Sequence, residues 1–599
     1  MTDYVAPLRD MRFLFNHVIG LDRVAALPGY EDATSDLVDA VLEEAAKFAN
    51  SVLGPLNYAG DTHAPVLSDG VVTTAPGFRD AYAQFVAGGW NALAADPKYG
   101  GQGLPRIVAT AVDEMWQSAN LAFGLCPLLT RGAIEALHLC GTDAQKTSYL
   151  HKMVEGSWTG TMNLTESQAG SDLSAVRSRA VPDGDKFRIH GTKIYITYGE
   201  HDYTDNIIHL VLARLPDAPE GVKGISLFVV PKFLPDADGN PGARNDVRCV
   251  SLEHKLGIHS SPTAMMAYGD NGGAIGELIG EPNRGLEYMF IMMNAARFAV
   301  GLQGVAIGER AYQQALDYAR NRIQGVEAGV RGGGKVNIIR HPDVRRMLMT
   351  MKATTEAGRA LAYTAAAALD HAANDPDANM RREAQSRAEL LIPVVKGWCT
   401  ENAIEIASLG VQIHGGMGFI EETGAAQHLR DARILTIYEG TTGIQANDLI
   451  GRKIARDGGQ AARDTVAEIH ATLAELATIE DFLPIRAALD DSVEHLSRAI
   501  AWVVGTYATD PKTALAGAVP FLHLFGTVLG GWQMSRAALA ARELLGKGDN
   551  QDRDFLTAKI NTARFYADHV LRRAPGLAHA VMHGANGVLD LDEDVQFAA

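Results

Sequence analysis

The spacing of apolar residues along this chain changes period twice, and that limits its fold more than any other feature. From residue 36 to about 158, apolar positions recur at helical spacing, as in 36–49 and 107–120, with glycine breaks at Gly88-Gly89 and Gly100 to Gly103. From 159 to 285 the spacing becomes strand-like, with β-branched runs at 206–215, 225–233 and 246–252. Segments 186–190 and 193–197 flank Gly191 and read as the arms of a hairpin, while 235–241 reads as a loop. Helical spacing returns at Leu286 in an unusually long first element reaching Arg322, continues to Arg456, and resumes from 461 to about 584. At 599 residues the chain is too long for one core. The expectation is an α+β chain in five parts: an N-terminal extension (1–35), a helical domain (36–158), a β domain (159–285), a helical bundle (286–456) and a C-terminal helical extension (457–599).

Charge narrows the partners. Lys plus Arg total 54 against 71 Asp plus Glu, a net −17, and no block of five like charges occurs. A nucleic-acid partner is therefore not expected, and an anionic ligand must be met by local cations. The four cysteines, Cys126, Cys140, Cys249 and Cys399, form no Cys-x-x-Cys pair, and no His-Glu-x-x-His occurs. No structural zinc or disulfide framework is expected, and a reducing cytoplasm suits the chain. The first ten residues lack a basic region followed by an apolar run, so no signal peptide is expected. Residues 514–532 carry no charge but hold Pro520, His523 and Gly530-Gly531, which favours a buried helix pair over a membrane span.

Two segments carry chemistry. In 434–445, Ile-Leu-Thr-Ile-Tyr-Glu-Gly-Thr-Thr-Gly-Ile-Gln, Glu439 stands between an apolar strip and a turn of small residues. A carboxylate pressed against apolar surface loses hydration and becomes a stronger proton acceptor near neutral pH, as a general base requires. Taken alone, the same glutamate fits a surface acid at a helix start. In 162–173, Thr165 offers a hydroxyl and Ala169-Gly170-Ser171 a tight backbone whose N–H groups suit a diphosphate or a ring edge. By itself that turn also reads as an ordinary connector.

Together with Tyr195-Ile-Thr197, the glycine-rich run 411–419 and the run 429–434, these segments resemble the acyl-CoA dehydrogenase family, in the right order, across roughly residues 40 to 455. The resemblance implies that family's fold: a helical domain, a barrel-like β domain and a helical bundle, here with a further helical domain. It implies FAD as cofactor and α,β-dehydrogenation of an acyl-CoA thioester to the trans-2-enoyl-CoA. Glu439 would take the α-proton and the flavin would accept the β-hydrogen as hydride. Thr165 and Thr197 would hydrogen-bond the flavin ring, with Leu164 and Tyr195 packed near it. Gly170 and Ser171 would lie by the flavin diphosphate, Ser171 also by the pantetheine. Arg322 and Gln324 would reach the diphosphate of a neighbouring subunit, Gln412 and Gly416 would line the same nucleotide, and Thr441 would meet its adenosine end. Tyr438 and Gly440 flank the base at the substrate. Arg297 matches the family arginine near CoA, though an ordinary ion pair on a helix also accounts for it. Arg452 and Lys453 are placed equally well at CoA phosphates or in solvent.

Some positions depart from the family pattern. Tyr195 stands where Trp is common, Gly443 where many members carry Gln, and Ala296 where some relatives hold the base on the long helix. Glu439 is then the candidate base. The run Gly329 to Lys335 imitates a phosphate loop, but Val336 follows where Ser or Thr is required, and a flexible loop is expected. His414, with no other His or Cys nearby, is not read as a metal ligand. Arg430 and Asp431 are expected to form a buried ion pair that orients the Glu439 segment. The extra C-terminal residues imply, by analogy with larger members, a homodimer sharing the cofactor site. Segments 4–15, 199–202 and 253–260 resemble bacterial members of similar length that act on a short thioether substrate, 3-methylmercaptopropionyl-CoA; straight short- to long-chain acyl groups are the second choice. An electron-transferring flavoprotein is the implied electron acceptor, an oxidase that passes electrons to oxygen being the alternative. A subunit retaining the fold without turnover is the remaining reading, disfavoured by intact Glu439.

Overall fold

The computed structural model describes residues 3–548 and 552–597. Eight strands build the central sheet: β1 (Trp158–Asn163), β2 (Arg179–Asp183), β3 (Lys186–Thr197), β4 (Asn206–Ala213), β5 (Ser226–Pro231), β6 (Val247–Leu252), β7 (Thr263–Tyr268) and β8 (Ala274–Ile279). They run in the order β6-β7-β3-β8-β5-β4-β1, with β2 added beside β3, and β1 with β4 is the one parallel strand pair among the described residues. β4 and β5 are buried along their whole length, as their unbroken β-branched and apolar runs require.

The sheet curls because β3 is long. Its first half pairs with β2 and β8, and its second half with β7. Gly191 (φ +149°) lies at the change-over, and a Cβ there would stand 2.3 Å from Ser178 Oγ. Gly191 is therefore a bend inside one strand and not the hairpin turn its composition suggests. The turn is at Gly184 (φ +65°), between β2 and β3.

The helices that position the site are α1 (Arg106–Ala119), α2 (Leu121–Cys140), α3 (Gly285–Asn321), α4 (Pro342–Asn374), α5 (Ala378–His414) and α6 (Thr442–Asp448). Those of the C-terminal extension that meet them are α7 (Ala518–Gly546) and α8 (Arg553–His569). Small residues let α3 and α5 approach closely. A Cβ at Gly301 would lie 2.8 Å from the Lys396 backbone N, and one at Gly304 would lie 2.5 Å from the Cys399 carbonyl oxygen. On its other face α5 receives α7: a Cβ at Gly526 would meet the Trp398 ring at 2.3 Å, and one at Gly397 would meet Leu522 at 2.6 Å. The uncharged run 514–532 is broken at Gly517, between a short helix (Pro511–Ala516) and the largely buried α7. One helix among the described residues, α3, is long and apolar enough to cross a membrane, but most of its apolar window is packed inside the protein.

A buried ion cluster joins the parts. Arg359 of α4, 1% exposed, donates to Glu114 of α1 (2.7 Å), Asp10 (2.8 Å) and Glu309 of α3 (2.6 Å). Lys559 of α8 donates to the same Asp10 and to Glu356 of α4 (2.7 Å). Buried charges of this kind are costly unless paired. The run 329–335 is a loop up to Lys335, as its composition suggests. It is the tip of an arm in which Ile323–Val326 pairs antiparallel with Lys335–Asn337. A strand precedes the glycines, but a second strand (Lys335–Asn337) and a 3-10 turn (Ile338–Arg340) separate them from the N-terminus of α4, unlike a phosphate loop, which leads directly into a helix.

Candidate active site

The chain enters the site through a 3-10 turn (Arg433–Thr436) and leaves it at α6, whose N-cap Thr441 accepts from Ile444 N (3.3 Å). Between them Glu439 (φ +55°) and Gly440 (φ +89°) are both left-handed. For glutamate that conformation costs about 1 kcal/mol, and it persists because the surroundings hold it. Two side chains do so. Gln445 Nε2 donates to the Glu439 carbonyl (3.1 Å), and Lys396 Nζ donates to the Gly440 carbonyl (2.6 Å). Glu439 therefore lies outside the first helical turn, with its carboxylate partly enclosed. Burial lifts that carboxyl from an ordinary 4.5 to about 7, while Arg297 and Lys396 pull the other way. Burial likewise pushes the Lys396 ammonium down to about 8, against the attraction of Glu439.

Arg297 of α3 is 6% exposed and makes only a loose pair, 4.0 Å, with Asp448 Oδ2 of α6. Its Nε is buried without a partner, an unspent donor near the Glu439 carboxylate. Its guanidinium and that of Arg452 both lie over the Phe290 ring, at 5.7 and 5.8 Å. Arg452 is otherwise exposed and 3.3 Å from Asp448, whereas Lys453 turns to Glu389 (3.0 Å). The Tyr438 hydroxyl donates to Gln303 of α3, which donates to Gln117 of α1 (3.1 Å), which donates to the Gly124 carbonyl of α2 (3.1 Å). This relay ties the residue before Glu439 to the N-terminal helices.

A second patch forms where the strands begin. The Thr165 carbonyl accepts from Ile194 N (2.9 Å), and Glu166 and Ala169 exchange backbone hydrogen bonds of 3.0 and 2.9 Å. Glu166 anchors the loop: its carboxylate accepts from Lys193 Nζ (2.7 Å), Ser178 Oγ (2.6 Å) and Arg177 N (2.8 Å). Burial opposes that charge, but Lys193 outweighs it and brings the carboxyl down to about 2. Leu164 is buried and Thr165 half-buried, while Gly170 and Ser171 stand open, with no atom within 4 Å of where a Gly170 Cβ would lie. Beside them the Tyr195 ring, at φ +60°, is 62% exposed, and Thr197 accepts from Thr161 Oγ1 (2.8 Å) through its carbonyl.

The third patch is at the far end of the bundle. Arg322 and Gln324 are exposed on the arm, with Ile323 and Val326 exposed beside them. Gln412 and Gly416 are exposed where α5 ends. The two lie together because Tyr318, just before the arm, stacks on His414 at 4.3 Å. His414 also holds the Gly410 carbonyl at 2.7 Å through Nδ1, which makes it a packing residue.

The structure corrects one pairing. Arg430 binds Asp61 (2.9 Å) and Glu421 (2.6 Å), and Asp431 accepts from Ile258 N (2.5 Å) instead of from Arg430. Adjacent residues on a helix do not face each other, which the expected pair ignored. Lys396, Gln303, Gln445 and Phe290 escaped the sequence reading. Lys396 had a signal, a single cation directly after the apolar run 390–395.

These features fit a flat ring with a diphosphate, and an acyl thioester at a base: an exposed aromatic face, an open Gly170-Ser171 turn, an arginine on a projecting arm and a raised carboxylate beside an unspent donor. Residues 39–157, 161–270 and 283–454 match the N-terminal, middle and C-terminal domains of acyl-CoA dehydrogenases, and 465–592 match an acetyl-CoA dehydrogenase C-terminal-like domain. The chain belongs to the acyl-CoA dehydrogenase family. It is 54% identical over 577 residues to the 3-methylmercaptopropionyl-CoA dehydrogenase of Ruegeria pomeroyi, covering 95% of this chain and 96% of that one. It is 34% identical over 613 residues to the broad-specificity linear acyl-CoA dehydrogenase FadE5 of Mycobacterium tuberculosis, covering 99% and 100%. An acyl-CoA dehydrogenase of Bacillus anthracis, solved in complex with FAD, shares the fold with a TM-score of 0.73 at 19% identity over 96% of this chain and 92% of that one.

Proposed function

We propose that the chain is an FAD-dependent acyl-CoA dehydrogenase that converts 3-methylmercaptopropionyl-CoA to methylthioacryloyl-CoA. The observation that carries the chemistry is Glu439, a base lifted to about 7 by burial and held in a left-handed turn. The near full-length relative from Ruegeria pomeroyi carries the substrate. Glu439 removes the α-proton, and its raised proton affinity narrows the gap to that weakly acidic carbon. Arg297 opposes the effect of burial and so favours the ionised carboxylate, and it offers its unpaired Nε to the CoA portion. FAD, when bound, supplies the two-electron acceptor for the β-hydrogen. Thr165, Thr197, Leu164 and Tyr195 would hold its ring, and Gly170 and Ser171 its diphosphate. Gln412 and Gly416 would line the nucleotide, Thr441 would meet the adenosine, and Arg322 and Gln324 would reach across from a partner subunit. That last role makes the active assembly a homodimer, which the exposed apolar flanks of the arm support. An electron-transferring flavoprotein would take the electrons, and the four free cysteines suit a cytoplasmic location.

The test is an anaerobic titration of the holoenzyme with 3-methylmercaptopropionyl-CoA, butyryl-CoA and palmitoyl-CoA, following flavin absorbance. Bleaching strongest with the thioether substrate is expected. Stronger bleaching by a straight-chain thioester would transfer the specificity to that class, and a protein colourless even after adding FAD would refute the reading.

A further inference from the structure

We propose that Lys396 is a positioning residue for the base: its ammonium fixes the Glu439–Gly440 turn, and its charge keeps the carboxylate available. The inference rests on the reading of Glu439 as the base. Lys396 is 0% exposed, in the middle of α5, and the one hydrogen bond of its ammonium among the described residues is to the Gly440 carbonyl, 2.6 Å away. No carboxylate lies within ion-pair distance of it among the described residues. A buried ammonium without a carboxylate partner is costly, and methionine would fill the same space without that cost.

The fold is arranged to bring this charge to the turn. The close approach of α3 and α5 at Gly301 and Gly304 sets the Lys396 backbone against α3, one helical turn beyond Arg297. Two cations from two helices thus face one carboxylate. The charged groups around the turn are Arg297 on α3, Lys396 and Glu401 on α5, Asp448 on α6, and Arg452 just beyond it. Glu401 is engaged by the Thr442 hydroxyl (2.5 Å), and Asp448 lies between the two arginines. Lys396 is the cation that also bonds the turn's backbone. It holds Gly440 from one side while Gln445 holds Glu439 from the other. Its charge therefore acts on the carboxylate from a fixed position.

Two variants separate the two effects. Lys396→Gln keeps a donor for the Gly440 carbonyl and removes the charge; Lys396→Met removes both. With matched FAD content, kcat is measured with 3-methylmercaptopropionyl-CoA from pH 5.5 to 9. Lys396→Gln is expected to move the acid limb alkaline by about half a pH unit, about a threefold loss of kcat below the limb, and to converge on wild type above it. Lys396→Met is expected to show the same alkaline shift of the limb and, above it, a further loss of about tenfold in kcat with KM within about twofold, as for an interaction felt in the transition state. An unmoved limb in Lys396→Gln overturns the proposal, whatever Lys396→Met does, and that variant decides alone if the methionine variant does not fold. Glu439→Gln is the control. Retained turnover there would defeat the base assignment itself, whereas an inactive Glu439→Gln with an unmoved Lys396→Gln limb would defeat only this proposal.

Discussion

Replacing Glu439 by Gln should stabilise the protein while abolishing turnover, and the stabilisation should grow with pH. Burial lifts the Glu439 carboxyl from 4.5 to about 7, so the folded state binds a proton that the unfolded chain releases between those values. Stability from this group is full below pH 4.5 and is lost as pH rises through about 7. A shift of this size corresponds to about 3 kcal/mol at pH 8.5 and about 1 kcal/mol at pH 5, a difference of about 2 kcal/mol. The glutamine variant carries no such cost at either pH. With an unfolding entropy of about 2.1 cal/mol/K per residue, a 599-residue chain melting as one unit converts that difference into about 2 °C. Differential scanning calorimetry of both holoenzymes, with matched FAD content, at pH 5 and pH 8.5 measures it. The gap in melting temperature should widen by about 2 °C at the higher pH, and by more if the bundle melts separately. A gap that stays constant or narrows would mean that the carboxylate is already well solvated or fully paired, and the base argument would lose its electrostatic foundation.

Other perturbations probe the remaining patches. Lys193→Met leaves the Glu166 carboxylate buried and unpaired; a cost of about 3–5 kcal/mol is expected, seen as a lower melting temperature and weaker FAD retention from the loosened loop. Unchanged cofactor content after dilution would show that the loop needs no such anchor. Arg322→Ala should leave the melting temperature of the FAD-free protein within experimental error yet speed loss of FAD on gel filtration, since the residue is exposed and its proposed role is in the partner's site. Equal retention would remove Arg322 from the cofactor. The acid limb of kcat/KM in the wild type should fall near pH 7, tenfold per unit below it, because only ionised Glu439 accepts the proton. A limb near pH 4.5 would place the carboxylate in water.

The two period changes and the residue runs around Thr165 and Glu439 were legible because they are local: spacing along a helix or strand, and a carboxylate set against apolar neighbours. The errors came where chain geometry decides. Gly191 looked like a turn, yet a glycine in mid-strand is where one strand passes between two parts of a curled sheet. Arg430 and Asp431 looked like a pair because they are adjacent in sequence, the spacing at which helical side chains diverge. Lys396 stands 43 positions before Glu439, and only the packing of the 3-10 turn and α6 against α5 makes them neighbours in space. The same holds for Gln117, Gln303 and Tyr438, three residues far apart in sequence that form one relay. The arm rests on a strand pairing across a glycine-rich tip, and composition alone shows only the loop at that tip.

The cluster around Arg359 and Lys559 bears on how this protein can be shortened. A chain cut after Arg456 would keep the three regions that match the N-terminal, middle and C-terminal domains of its family, and on paper would be a smaller member of it. In fact the cut would strip Lys559 from Asp10 and Glu356 and uncover Trp398, leaving two carboxylates and an indole designed for an interior at a new surface. The catalytic portion and its C-terminal helices are thus a single inseparable object, and engineering that treats the last 143 residues as a removable module should be expected to yield insoluble protein.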